Sequence, residues 1–302
     1  MDTHVTKATV LGESPRLELL QPQPSGRMRL LRQVLRTKVT VIGVIIVIFL
    51  VIVAIVVDWL PLEDPYVMGA VLRGPPGTAG HVLGTDDFGR DVLTRVLHGS
   101  RVSLVIALSV VGMGSVVGSL LGLVVGYTGG LLDSIVSRIW DVIFSFPGLL
   151  FFLVIMSALG AGIQMAIIAL TIGEIPVFGR LMRERVLAQQ NKPYVEAARS
   201  MGARSWYIMF HHILPNSLTP VLVQGALSIP GIILAEAGLS YLGLGVPPPI
   251  PSWGKMIAEG QNYLETAPWL SLIPGVFILL ATLGFNLLGD GLRDLFDPTQ
   301  LR

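Results

Sequence analysis

Residues 39–57 read VTVIGVIIVIFLVIVAIVV, nineteen positions without a single charge. A run of that length and character is what crossing a hydrocarbon layer ~30 Å thick requires. It is preceded by Arg27, Arg29, Arg32, Arg36 and Lys38 with no acid among them, and it stops at Asp58 and Trp59. A secretory leader would have a shorter apolar core and a small-residue cleavage site. The segment therefore reads as a retained helix whose N-terminus stays in the cytoplasm. Residues 1–26 are polar, carry Pro15, Pro22 and Pro24, and show no apolar periodicity, so a mobile tail is expected there.

Five more apolar runs follow, at about 102–127, 142–159, 163–178, 217–235 and 268–289. The whole 302-residue chain is 52% hydrophobic and 14% charged, against roughly 25% charged in an ordinary soluble domain. The expected fold is an all-α polytopic membrane protein with six transmembrane helices. Its parts are a cytoplasmic tail (1–38), the first span (39–57), an extracytoplasmic segment (58–101), and a core of five spans (102–302) containing a cytoplasmic loop (180–216).

Charge placement orients the spans. Segment 58–101 has four basic and six acidic residues, 180–204 has six basic and two acidic, and 236–267 has one basic and three acidic. With six spans starting inside, the basic segment falls inside and the acidic ones outside, leaving both termini cytoplasmic. The net charge of +1 points to no nucleic-acid partner. The absence of cysteine excludes disulfides, thiolate metal sites and thiol nucleophiles.

The basic loop holds the most informative spacing. Glu196-Ala197-Ala198 is followed by Gly202 and, after nine intervening residues, by His212-Ile213-Leu214-Pro215-Asn216. Ala, Glu and Arg favour helix, Gly202 is a natural break, and Pro215 can stand near the start of a following helix, so the local reading is helix, turn, helix. This pattern resembles the EAA motif of the membrane subunits of bacterial ABC importers, in which the loop forms a coupling helix docked on a separate ATPase. The His-x-Leu-Pro-Asn ending at 212–216 is similar to the peptide-importer branch.

Three more blocks resemble the second permease subunit of dipeptide, oligopeptide and nickel importers. They are Leu83 to Arg95 with Gly99 to Leu104, Tyr241 to Gly245 with Pro251 to Gly254, and Phe285 to Pro298. The resemblance implies a type I importer permease fold in the bacterial inner membrane. It implies as partners a homologous second permease, two ATPase subunits that bind ATP and Mg2+, an extracytoplasmic binding protein and a peptide substrate. No cofactor or metal is expected in this chain. Nickel or another small solute is the alternative cargo, and a secondary transporter without ATP the alternative class.

Other positions carry local expectations. Phe88, Val92, Leu93, Val96 and Leu97 share one helical face and Arg90, Asp91 and Arg95 the other, with Asp91 and Arg95 as an i,i+4 pair. This describes a helix on the outer membrane surface, serving either as a lid over helix ends or as a docking surface for the binding protein. Gly114, Gly118, Gly122 and Gly126 recur every four residues and make a flat stripe for close packing of another helix. Glu174 is an ionisable residue in a span, with Pro176 just after it, and is a candidate either for the pathway or for pairing with the arginines that begin at Arg180. Pro230 and Gly231 are read as a bend facing the pathway, and Glu236 as exposed at the outer mouth. The chain has no Gly-x4-Gly-Lys-Ser/Thr phosphate loop, no His-Glu-x2-His and no Gly-x-Ser-x-Gly, so ATP is handled elsewhere and an intramembrane hydrolase is disfavoured.

Overall fold

A computed structural model describes residues 38–296. The expected tail with Arg27, Arg29, Arg32 and Arg36, and the last residues Asp297 and Pro298, lie outside that range. The described residues are helical, with no strand and one isolated bridge between Thr85 and Asp91. Five helices are long and apolar enough to cross a membrane: α1 (Lys38–Val56), α2 (Val92–Thr128), α5 (Ile163–Gln189), α7 (Ser205–Tyr241) and α9 (Trp269–Phe296). A bent pair makes a sixth crossing if it is counted as one span. Helices α3 (Gly130–Ser145) and α4 (Gly148–Leu159) meet at 98°, in place of the single span that the apolar run at 142–159 predicts. The cause is Pro147. A residue before proline is pushed out of the α region, and Phe146 is extended at φ −88°, ψ 141°.

The outer surface helix expected at 88–97 is not a separate element. It is the first turns of α2, which at 37 residues and ~1.5 Å per residue is far longer than a bilayer core is thick. Asp91 caps α2, its side chain accepting from the Thr94 N–H at 2.7 Å. The helix continues through Gly99 and Ser100 because both are accommodated. Gly99 lies against Trp253, where an added Cβ would stand 3.3 Å from the indole, and the Ser100 hydroxyl bonds back to the Val96 carbonyl.

The heart of the bundle is the α2–α5 pair. The stripe Gly114, Gly118, Gly122, Gly126 lies directly on α5. A Cβ at Gly114 would come 2.7 Å from the Glu174 Cβ, one at Gly118 2.5 Å from the Ile175 carbonyl, and one at Gly126 3.1 Å from the Arg183 backbone. At Gly122 it would run into the Gly179 carbonyl. Without side chains between them the two backbones close in, which is how helices associate where lipid removes the hydrophobic drive. Gly179 is covered on its other side by the ring of Trp140 from α3, and Gly173 by Phe152 from α4. Bidentate pairing of Arg183 with Asp133 at 2.6 Å, and a single bond from Arg180 to Asp141 at 2.6 Å, also tie α3 to α5.

Candidate functional site

Two ends of the bundle and one seam between them hold the residues singled out above. At one end stands α6 (Pro193–Ser200) in the loop between α5 and α7. Both flanking helices run further than the apolar runs imply, so the connecting segment shrinks from 180–216 to 190–204. Pro193 opens α6, the acidic Glu196 sits in its first turn and Arg199 in its last, each at the end of the helix dipole that favours its charge. Gly202 adopts φ +79°, a left-handed conformation that costs an L-residue roughly 1–2 kcal/mol. The N–H of Ala203 bonds the Ala198 carbonyl and that of Gly202 the Arg199 carbonyl, the reciprocal pair that closes a helix of this kind.

Glu196 and Ala197 are exposed, while Val195 and Ala198 are buried against residues 208–213. That segment is a stretch of π-helix inside α7, and its Ile208 and Ile213 are buried as well. Its position has a reason in the sequence. Pro215 removes one N–H from the ladder, the N–H of Leu214 reaches back to the Met209 carbonyl, and the Asn216 amide donates to the His212 carbonyl at 2.7 Å. Pro215 stands in the first turn of the α-helical part of α7, Leu214–Tyr241, which continues directly from the π-helical stretch. The His212 ring packs on Tyr207 at 5.6 Å and Tyr194 at 6.4 Å, Tyr207 stacks on His211 at 4.3 Å, and Leu214 is half-buried. Met201, Trp206, Tyr207 and Phe210 remain exposed around α6.

At the opposite end the loop 60–91, residues 242–252 and α8 (Trp253–Gly260) form a cap. Here three expectations are corrected. Arg90 and Arg95 are buried, not presented on a polar outer face, and Asp91 is not the partner of Arg95. Arg95 bonds Asp86 and Glu259 at 3.2 Å each and donates to the carbonyl of Pro65, while Arg90 bonds Asp86 at 2.6 Å. Asp91 pairs with His81 at 3.0 Å in addition to its capping role. Buried guanidinium must find carboxylates, and only the folded loop brings Asp86 and Glu259 within reach. Burial pushes the Glu259 carboxyl above its ordinary range against the pull of Arg95, Arg90 and Lys255. Burial also raises Asp87, helped by Asp86 beside it. Asp86, Asp87 and Glu259 offer oxygens within 4.8 Å of one another, but two guanidinium groups already supply the counter-charge.

Glu236 is the third correction. It is 1% exposed and not at an open mouth. Its Oε1 accepts from Ser240 at 2.8 Å and from Ser252 at 3.0 Å, which pins the 241–252 loop down onto α7. Only the spacing of Glu236 and Ser240 is visible in the sequence; the return of Ser252 is not.

Between the two ends, Glu174 of α5 lies at the depth of the Gly114 contact, half-buried, beside the Ser228 hydroxyl of α7. Of the arginines that are its candidate partners by sequence, Arg180 and Arg183 are taken by Asp141 and Asp133, and among the described residues no ion pair joins Glu174 to Arg185. Pro230 is buried within α7, and Gly231 next to it faces open space.

Comparison with known proteins adds the following. Residues 118–302 match the model of the family described as binding-protein-dependent transport system inner membrane component. A dipeptide transport system permease of Alkalihalophilus pseudofirmus is 40% identical over 267 residues, 88% of each chain. A probable D,D-dipeptide transport system permease of Escherichia coli is 41% identical over 259 residues, 86% of this chain and 87% of the relative. An inward-facing methionine ABC transporter superposes with TM-score 0.56 over 68% of this chain and 98% of its own, at 20% identity, which speaks for the fold alone.

Proposed function

We propose, for a chain that belongs to the binding-protein-dependent transport system inner membrane components, the role of one of two membrane-spanning subunits in an ATP-driven importer of peptides. The observation that carries this is the build of the α6 loop. A short amphipathic helix with Glu196 and Ala197 exposed is rigidly closed by Gly202 and wedged on the π segment of α7. Movement imposed on α6 must then pass into a 37-residue helix that crosses the bundle. The peptide cargo is supported by the names of the relatives, which are dipeptide permeases.

The partners and orientation are those the sequence implies: both termini and α6 in the cytoplasm, the cap outside, a homologous second permease, two ATPases and an external binding protein. ATP hydrolysis belongs to the ATPases. Their closure displaces α6, and substrate passes between the two permeases by alternating access. The experiment is purification of this chain from its native membrane with mass spectrometry of what remains bound. A second permease and ATPases in the eluate are the expected result. A chain that purifies alone and transports without ATP after reconstitution overturns the reading.

A further inference from the structure

The amphipathic helix α3 belongs neither to the α6 loop nor to the cap. Two sharp turns bound it. Gly129 and Gly130, at φ +63° and +62°, turn the chain out of α2, and the Phe146–Pro147 step turns it into α4 at 98°. Trp140 is the one fully buried side chain between these turns.

How α3 sits follows from what it touches on α5. Arg183 donates to Asp133, the Trp140 ring covers Gly179, Arg180 donates to Asp141, and the Arg180 guanidinium lies over the Phe144 ring at 4.4 Å. From Asp133 to Phe144 the helix rises about 16 Å, whereas from Arg183 back to Gly179 α5 rises only about 6 Å. A helix running alongside α5 would match the two. Instead α3 crosses α5 steeply, and only after Pro147 does the chain turn along α5, bringing Phe152 to Gly173. Because α5 traverses the membrane, α3 lies close to the membrane plane. The same contacts fix its level. Residues 179–183 are where the apolar run 163–178 of α5 gives way to Arg180, Arg183, Glu184 and Arg185, on the side that carries α6.

At 100° per residue the side chains of α3 divide into three arcs. Asp133, Trp140 and Phe144 fall within about 40° of one another and meet α5. Ser134, Arg138, Asp141 and Ser145 fall within about 60° and are exposed, Arg138 at 86%. Leu131, Leu132, Ile135, Ile139 and Val142 fall within about 100° and are exposed too, Leu131 at 76%. An apolar and a polar arc side by side, on a helix lying in the plane where α5 passes from apolar to charged, fit a boundary between hydrocarbon and water.

We infer that α3 is a membrane-surface helix: lipid of the leaflet on the α6 side covers Leu131, Leu132, Ile135, Ile139 and Val142, while Ser134, Arg138, Asp141 and Ser145 face water. The bent pair is then an interfacial helix followed by an apolar one. The bonds from Arg183 to Asp133 and from Arg180 to Asp141 moor α5 to the bilayer surface shortly before the chain enters α6. A protein partner on the apolar arc, such as a second permease, would have to end along the same line between lipid and water, where a leaflet ends by nature. The placement is independent of the cargo.

The chain has no cysteine, so single-cysteine variants each report one position. Ile135→Cys and Ile139→Cys sample the apolar arc, Ser134→Cys and Ser145→Cys the polar arc, and Ile48→Cys the middle of the charge-free run of α1; two positions per arc guard against a variant that fails to fold. Each is labelled with bimane in the chain purified with its partners and reconstituted in vesicles of phosphatidylcholine and phosphatidylglycerol, and the unsubstituted complex supplies the background. Iodide on both sides is expected to quench the labels at 134 and 145 several-fold more than those at 135 and 139. A lipid nitroxide near the headgroup should reverse that order, and a nitroxide at the acyl chain end should quench best at Ile48→Cys. Labels at 135 and 139 that neither quencher reaches would show the apolar arc covered by protein and overturn the inference. Equal quenching of both arcs by iodide would place α3 in water, and depth increasing steadily from 134 to 145 would make it a crossing helix; either result overturns it as well.

Discussion

The two ends of the molecule are built from opposite materials. The cap is held by charge: Arg90 and Arg95 are 3% and 1% exposed and share Asp86 and Glu259, while Glu236 locks the neighbouring loop. The α6 loop has no ion pair among its described residues, and it is held by two buried apolar side chains, stacked aromatic rings and one glycine turn. Removing one partner of a buried ion network costs far more than removing an exposed contact, because the remaining charge stays behind unpaired. The cap is therefore suited to keep its shape, and the loop to be gripped and moved.

The comparison breaks most severely at Arg95. Arg95→Ala leaves the buried Asp86 and the half-buried Glu259 with Arg90 as their one remaining guanidinium and should cost up to about 3–5 kcal/mol, seen as a large fall in melting temperature and yield. A variant that melts with the wild type would show that the cap does not depend on its charges. Next is Gly202→Val, which forces a β-branched residue into φ +79°. It should insert and melt within about 1–2 kcal/mol of wild type yet lose most peptide uptake and transport-coupled ATP hydrolysis. Normal uptake would remove α6 from the coupling path.

Smaller again is Glu196→Lys, an exposed change at the dipole end of α6 worth about 0.3–1 kcal/mol to the chain itself. Its effect should appear in weaker co-purification of the ATPases, and unchanged association with full uptake would take that residue out of the interface. The smallest effect sharpens the cap. Burial holds Asp87 and Glu259 above ordinary carboxylate values, so the folded state takes up protons before the unfolded one. Stability from these two groups is therefore present at low pH and lost as pH rises through their folded values. Melting measured as pH falls from neutral into the ordinary carboxylate range should gain from this uptake, and Asp87→Asn should flatten the slope; an unchanged slope would discharge Asp87.

Much of this architecture is legible in the sequence. The charge-free run at 39–57, the four-residue glycine period and the Glu-Ala-Ala to Pro-Asn spacing act through neighbours along one helix or one turn, and local geometry follows from local sequence. Pro147 is equally local; its effect on residue 146 is a property of the Phe-Pro pair and bends the third span. Other features depend on chain segments far apart. The inward turn of Arg90 and Arg95 needs Glu259, more than 160 residues away, and the burial of Glu236 needs Ser252 folded back over α7. The sequence determined which segments are helices and where charge resides along them. Tertiary structure alone decided which charges meet, because a buried charge is settled by whatever partner the folded chain brings within about 4 Å, not by its neighbours in sequence.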